Sequence, residues 1–246
     1  MYGERLLKKY LDLLKDFIFP KRCPVCDEVV AFGEGYVHSE CKAKLKYISE
    51  PVCMKCGKPI LDASDDVCSD CGRRRHQFDA GRAVWIYEQQ MRKSIAAFKY
   101  KGRQEYAGFY TEQILAVHGD WLKALHVDAV LPIPLNSKKF RSRGYNQAGL
   151  LAKDLADVLK IPVDTKYLQR TSWTEPQKSL SPVQRYQNLK QAFCVQGQAG
   201  KYCSVLLVDD IYTTGSTMDA CAAVLKAAGV RYVYFVSLCI GSDREG

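Results

Sequence analysis

The sequence predicts an α/β fold, a mostly parallel sheet with helices on both faces, preceded by a small amino-terminal module with no core of its own. Three observations carry this. From residue 82 onward, β-rich apolar runs at 83–87, 127–133, 204–209 and 232–240 alternate with helical patterns near 90–99, 104–118, 145–159 and 216–228. Such alternation buries a parallel sheet between layers of helices. Residues 21–75, in contrast, lack apolar periodicity and are dominated by cysteine, glycine and charge. Finally, seven of the eleven cysteines fall within residues 23–71.

The elements follow in order along the 246 residues. Leu6, Leu7, Tyr10, Leu11, Leu14, Phe17 and Ile18 recur at helical spacing until Pro20, so residues 1–20 read as an amphipathic helix that docks on its own domain. Residues 21–78 form the cysteine-rich module and residues 79–246 the α/β domain. No apolar run approaches the roughly 20 residues that span a bilayer. The charged start, broken again by Asp12, Lys15 and Asp16, does not read as a signal peptide. The expected location is therefore cytoplasmic, where cysteines serve metals or redox chemistry rather than disulfides. Cys203, Cys221 and Cys239 lie in apolar or helical runs and read as core fillers.

Four ligand pairs occupy the module: Cys23 with Cys26, His38 with Cys41, Cys53 with Cys56, and Cys68 with Cys71. Each pair is spaced to present two ligands on one side of a tight turn, which is half of a tetrahedral zinc site. Eight ligands make two closed zinc sites, structural rather than catalytic, and metal binding supplies the folding free energy that the segment's sparse apolar residues cannot. The first members repeat every 15 residues, so consecutive and interleaved pairings both satisfy the spacing. Consecutive pairing closes shorter loops and is favoured.

The second constellation lies at the end of an apolar run. Ser204 to Val208 has strand length, then come Asp209-Asp210 and, after Ile211-Tyr212, the stretch Thr213-Thr214-Gly215-Ser216-Thr217, with a helix opening at about Ser216. A strand feeding a helix through glycine and small hydroxyl residues is an anion cradle, because the first N–H groups of the helix point outward and its dipole favours negative charge. Paired carboxylates at the carboxyl end of a parallel strand sit where such sheets bind ligands. They are suited to sugar hydroxyls or Mg²⁺.

Charge reinforces this division. The net charge is +9, yet residues 1–80 hold 14 basic against 13 acidic residues, while residues 81–246 hold 22 against 14. The excess lies where a polyphosphate or a nucleic acid would need it. Lys138, Lys139, Arg141 and Arg143 cluster before Gly144, and Lys99, Lys101 and Arg103 surround Tyr100, an arrangement that can hold single-stranded nucleic acid by charge and stacking. Residues 170–190 are polar, carry two prolines and read as a functional loop.

The run Val205 to Thr217 resembles the phosphoribosyl pyrophosphate (PRPP) motif of type I phosphoribosyltransferases. Together with the cysteine pairs, Pro132-Ile133-Pro134 and Arg143-Gly144-Tyr145-Asn146-Gln147, the whole chain resembles the ComF family, bacterial competence-associated proteins that join a double zinc ribbon to such a domain. The resemblance implies a type I phosphoribosyltransferase-like sheet and two structural zinc ions. It also implies a PRPP site in which Asp209 and Asp210 bind the ribose hydroxyls and Thr213, Thr214, Gly215, Ser216 and Thr217 bind the 5′-phosphate. Pro132 and Ile133 would lie beside the pyrophosphate, Mg²⁺ would accompany PRPP, and Arg143 would join the two acids in the reaction. Arg170 to Asn188 would be the loop that closes over it. His38 stands where the ribbon ordinarily has cysteine. The expected function is a PRPP-binding, Mg²⁺-dependent phosphoribosyltransferase associated with DNA uptake. The alternative is a non-catalytic protein that keeps the fold and zinc module and handles single-stranded DNA with other uptake proteins.

Overall fold

The computed structural model describes residues 20–31, 33–171 and 191–241. The amino-terminal helix expected over residues 1–20 and most of the polar loop at 170–190 lie outside the described residues. Two short helices, α1 (Ser39–Lys42) and α2 (Ser69–Arg73), belong to the cysteine-rich module. The rest is β1 (Ala80–Ile86), α3 (Gln89–Tyr100), α4 (Tyr106–Ala124), β2 (Ala129–Pro132), α5 (Ser137–Arg143), α6 (Gln147–Leu159), β3 (Leu168–Arg170), β4 (Phe193–Val195), β5 (Ser204–Tyr212), α7 (Ser216–Ala227) and β6 (Tyr232–Ile240).

β1, β6, β5 and β2 form one sheet in that order, and every pairing is parallel. A further parallel bridge, Val130 to Val163, extends the β2 edge. β3 and β4 pair as a separate antiparallel hairpin. In a parallel sheet all strands finish at the same edge, so the loops after β2, β5, β6 and β1 gather there.

β5 shows why the sheet folds this way. Val205 to Val208 are all fully buried, the continuous apolar run expected of a strand covered on both faces. Alternation sends Leu206 and Val208 to the face covered by α4 and α6, and Val205 and Leu207 to the face covered by α7. The first face is filled by aromatic packing: Trp85 stacks on Phe109 at 5.7 Å, and Phe98 and Tyr110 meet edge-on at 5.2 Å. The second holds Phe78 edge-on to Phe235 at 4.9 Å, with Tyr212 stacked on Phe235 at 4.8 Å. Each such buried ring contributes roughly 1.5–3 kcal/mol.

Three elements differ from expectation. α4 runs to Ala124 rather than stopping near 118, because Leu122 is buried and Trp121 packs beneath Arg82. These contacts carry the helix through Gly119. α5 has no buried residue, so no apolar periodicity announces it; Asn136 caps its start by accepting from the Lys138 amide, and Gly144 ends it. The short β3–β4 hairpin was equally silent in the pattern.

Candidate functional site

The eight predicted zinc ligands form two groups, Cys23, Cys26, His38 and Cys41, and Cys53, Cys56, Cys68 and Cys71, each with its donor atoms within 4.8 Å of one another. The pairing is consecutive. Both Cys-x-x-Cys turns are built alike, with a bond back to the first cysteine carbonyl from Asp27 in one and Gly57 in the other, each 2.8–2.9 Å long. Both residues adopt left-handed φ, 66° at Asp27 and 77° at Gly57. At Gly57 a side chain is also excluded, since a Cβ would lie 2.8 Å from the Gly81 carbonyl oxygen. The partner pairs sit at the starts of α1 and α2, whose N-caps are His38 and Cys68.

His38 fits a metal ligand. Its Nδ1 lies 3.4 Å from Cys26 Sγ, while Nε2–H donates to the Val29 carbonyl at 3.2 Å, which fixes the tautomer and leaves Nδ1 to face the sulfurs. In the second group Cys56 and Cys68 sulfurs lie 3.6 Å apart. Hydrogen bonding from Cys56 pulls the Cys53 thiol below its ordinary value, and bonding to Cys53 pushes Cys71 up. Four thiols in one volume compete for one thiolate, a conflict that a divalent cation resolves.

The two groups are anchored differently. The first has its own small cluster with Val30 and is tied to the α/β domain by Asp27, which accepts from Arg103 at 2.7 Å, Tyr106 at 2.7 Å and Lys101 at 3.3 Å. Burial raises the Asp27 carboxyl, but these bonds outweigh it and hold it at about 2. Lys101 and Arg103, read from the sequence as possible nucleic-acid contacts, are committed to this clamp. The second group shares a core with Phe78, Tyr212 and Ile240.

The other predicted site residues gather at the carboxyl edge of the sheet. Pro132 is in register with Val208, and the Ile133 amide donates to the Val208 carbonyl at 2.9 Å. Asn146 fixes this loop from the other side, donating to the Ile133 carbonyl at 3.0 Å while capping α6. Thr213 to Gly215 turn the chain from β5 into α7, with Gly215 as N-cap at φ 74°. A Cβ there would lie 2.5 Å from the Tyr212 hydroxyl, so only glycine permits this tight turn. Ser216 begins the helix, and the N–H groups of a first turn have no intrahelical partner. Thr214 and Ser216 hydroxyls are 2.9 Å apart at the exposed mouth.

Asp209 and Asp210 project to opposite faces of the sheet, and their surroundings differ. Asp210 is buried and forms an ion pair with Lys99 at 2.8 Å. Asp209 is part-buried and accepts from the Asp210 amide at 2.8 Å. Burial, then the charge of Asp210, pushes its carboxyl up to about 7, against the opposing fields of Lys99 and Lys139. Arg170 also faces it: burial lowers the guanidinium, while the fields of Cys221 and Asp209 act the other way. Among the described residues, Arg143 is bonded to neither acid. It stacks on Tyr100 at 4.8 Å and donates to Tyr100 Oη at 3.1 Å and Gln147 at 2.8 Å.

The pair His76–Asp219 was not singled out from the sequence. In the sequence Lys99 stands beside Tyr100 with nothing local to mark it as a partner of Asp210, and Arg170 stands at the start of a polar loop. Asp219, in the first turn of α7, lies 2.6 Å from His76 Nδ1 and accepts from the Gln77 amide at 2.8 Å. At the other end of α7, Lys226 pairs with Asp79 at 3.0 Å. Residues 76–79, leading out of the second cysteine group, thus brace both ends of the helix that follows the Thr213–Gly215 turn.

A double zinc ribbon domain model matches residues 14–72. Competence protein F of Haemophilus influenzae is 30% identical over 225 residues, covering 87% of this chain and 95% of that protein. This chain belongs to the ComF family. Competence protein ComFC of Bacillus subtilis is 27% identical over 77% of both chains. DNA utilization protein YhgH of Escherichia coli K12 is 29% identical, over 89% of this chain and 97% of that one. Among solved structures, a purine phosphoribosyltransferase from Pyrococcus horikoshii matches at 15% identity with a TM-score of 0.37, covering 54% of this chain and 74% of that one. In this chain the double zinc ribbon precedes a four-stranded, wholly parallel sheet, and the two ligand groups equip it for structural zinc.

Proposed function

We propose that the sheet edge binds PRPP with Mg²⁺ and that the protein is a phosphoribosyltransferase acting in DNA uptake and use. The observation that carries this is the asymmetric acid pair beside a helix start: Asp210 anchored by Lys99, Asp209 part-buried on the opposite face, and the Thr213–Thr217 turn opening directly beyond them. Asp209 and Asp210 would accept from the ribose hydroxyls, and the N–H groups and hydroxyls of Thr213, Thr214, Gly215, Ser216 and Thr217 would hold the 5′-phosphate. Pro132 and Ile133 would border the pyrophosphate. Mg²⁺, held by the oxygens of the acids and the ligand, would neutralise charge on the departing pyrophosphate. As that bond breaks, positive charge develops on the ribose near Asp209 and Asp210, which stabilises it electrostatically. Arg143 would act from its place over Tyr100, next to Lys99, by keeping that wall of the site in position.

Residues 21–78 would then be the zinc module and 79–246 the transferase unit, working in the cytoplasm. All eleven cysteines are free, and among the described residues no helix is long and apolar enough to cross a membrane. A second reading, a single-stranded-DNA groove, draws on one observation. Tyr100 and Phe140 are 70% and 49% exposed beside Lys138, Lys139 and Arg141 at the same edge, offering stacking surfaces among cations. The names of the relatives, competence and DNA utilization, are consistent with both readings. The deciding experiment is isothermal titration of Mg²⁺-PRPP into the zinc-loaded protein, followed by an acceptor screen for pyrophosphate release. Absence of binding at about millimolar concentration, a free energy of only about −4 kcal/mol, would leave the DNA reading alone.

A further inference from the structure

Behind α7, away from the sheet edge, a cavity of about 550 Å³ is lined by Lys55, Val67, Cys71, Arg74, Arg75, His76, Gln77, Asp79 and Lys226. Its charges do not balance. Asp79 is the one acid in the wall, and it is already occupied by Lys226 at 3.0 Å and by the Val233 amide at 2.8 Å. Arg74 and Arg75 are exposed and, among the described residues, have no acidic partner within ion-pair distance. Lys55 lies over the ring of Phe78, at 5.5 Å, and has no acidic partner among the described residues. The wall also holds His76, whose Nδ1 is committed to Asp219 while its Nε2 is buried without a hydrogen-bond partner. By contrast, Lys99 at the sheet edge is matched by Asp210, and Lys101 and Arg103 beside the first ribbon are matched by Asp27.

Three cations without an acid and a fourth shared with Asp79, around a concavity of this size, make a positive potential that is stabilised by bringing in an anion. Guanidinium groups on adjacent residues suit phosphate oxygens, which they can meet through two parallel N–H bonds. We propose that this cavity is a second phosphate-binding site, distinct from the sheet edge, taking a ligand with two neighbouring phosphates. The diphosphate of a small molecule and consecutive phosphodiesters of a single strand share that chemistry. The site lies between the second ribbon and α7, and depends on Arg74 and Arg75 rather than on Asp209 or Asp210.

The test uses the full zinc-loaded chain and two probes, tripolyphosphate by isothermal titration and a fluorescently labelled oligothymidylate by anisotropy. Arg74→Ala/Arg75→Ala should weaken at least one probe by about tenfold or more and, where that probe is the oligonucleotide, lower its salt slope by roughly 1.4, about 0.7 for each phosphate no longer neutralised. Both side chains are exposed, so thermal stability and zinc content should stay at wild-type values. Asp209→Asn should leave this binding in place, which separates the cavity from the proposed PRPP site. A change confined to tripolyphosphate would assign the cavity to a small polyphosphate, and one confined to the oligonucleotide would assign it to a nucleic-acid backbone. The double variant binding both probes as tightly as wild type would overturn the proposal, as would wild type binding neither at low salt.

Discussion

If Asp209 must be ionised to hold ribose and Mg²⁺, PRPP binding should carry the titration of this one carboxyl. Burial and the neighbouring Asp210 push Asp209 up to about 7, against about 3.9 for an ordinary aspartate. Below about pH 7 each unit should therefore cost about tenfold in affinity, and above it the profile should level off. Binding should also release protons, visible as titration heats that change with the ionisation enthalpy of the buffer. Asp209→Asn should bind about tenfold to hundredfold more weakly at about pH 8, the loss of one charge-assisted hydrogen bond at ~1.5–3 kcal/mol. Its remaining pH dependence should be that of the ligand alone. The stability of the free protein should move the other way. Because the folded value is raised, the stabilisation from Asp209 is fully present below about pH 4 and is lost as pH rises through about 7, so Asp209→Asn should gain on wild type across that window. Wild-type affinity with no greater pH dependence than the variant would refute the argument, and equal affinity at about pH 8 would place the ribose site elsewhere.

Other consequences follow from neighbouring contacts. Asp210→Asn should lower stability by ~1.5–3 kcal/mol, because it removes the charge facing the part-buried Lys99; urea unfolding checks this, and Lys99→Met should remove most of the difference between aspartate and asparagine at 210. Freshly prepared protein should contain about two zinc ions by elemental analysis, and Cys71→Ser should perturb near-ultraviolet dichroism of the α/β core more than Cys26→Ser, since the cysteines of the second group pack within an α/β core cluster whereas those of the first lie in a small cluster of their own. His76→Ala should weaken PRPP binding about tenfold by freeing Asp219 and the first turn of α7, with His76→Asn, which can still donate a hydrogen bond, recovering much of it. DNA binding, measured by anisotropy, should fall with salt, and replacing Lys138, Lys139 and Arg141 by Ala should reduce the slope by roughly 0.7 for each phosphate that these side chains neutralise.

Legibility in the sequence tracked the range of the interaction. The strands β5 and β6 were visible because burial on both faces demands an unbroken apolar run, and α6 and α7 because one face must be apolar. The metal ligands were visible because a tight turn fixes two donors three residues apart, whereas their partnering rested on an argument about loop length. Asp209, Asp210 and the Thr213–Thr217 turn could be proposed together because their chemistry is contiguous. Lys99 and Asp210 are 111 residues apart, and His76 and Asp219 are 143 apart; no local period records such pairs. α5 stayed hidden because an exposed helix held by a cap and a glycine has no apolar stripe to show.

The two acids of the motif look equivalent in sequence, but strand alternation makes them unlike. Asp210 faces the side that carries α3, so its charge is spent on Lys99 before any ligand arrives. Asp209 faces α7 and the hairpin, where Arg170 lies close and Lys139 adds its field, yet neither pairs with it. A dication arriving with its phosphates would meet one acid already fixed in place and one whose ionisation its own charge would favour. On the proposed PRPP reading, that ordering would give the site a rigid anchor and a responsive partner, and it would make Asp209 rather than Asp210 the residue through which pH is felt.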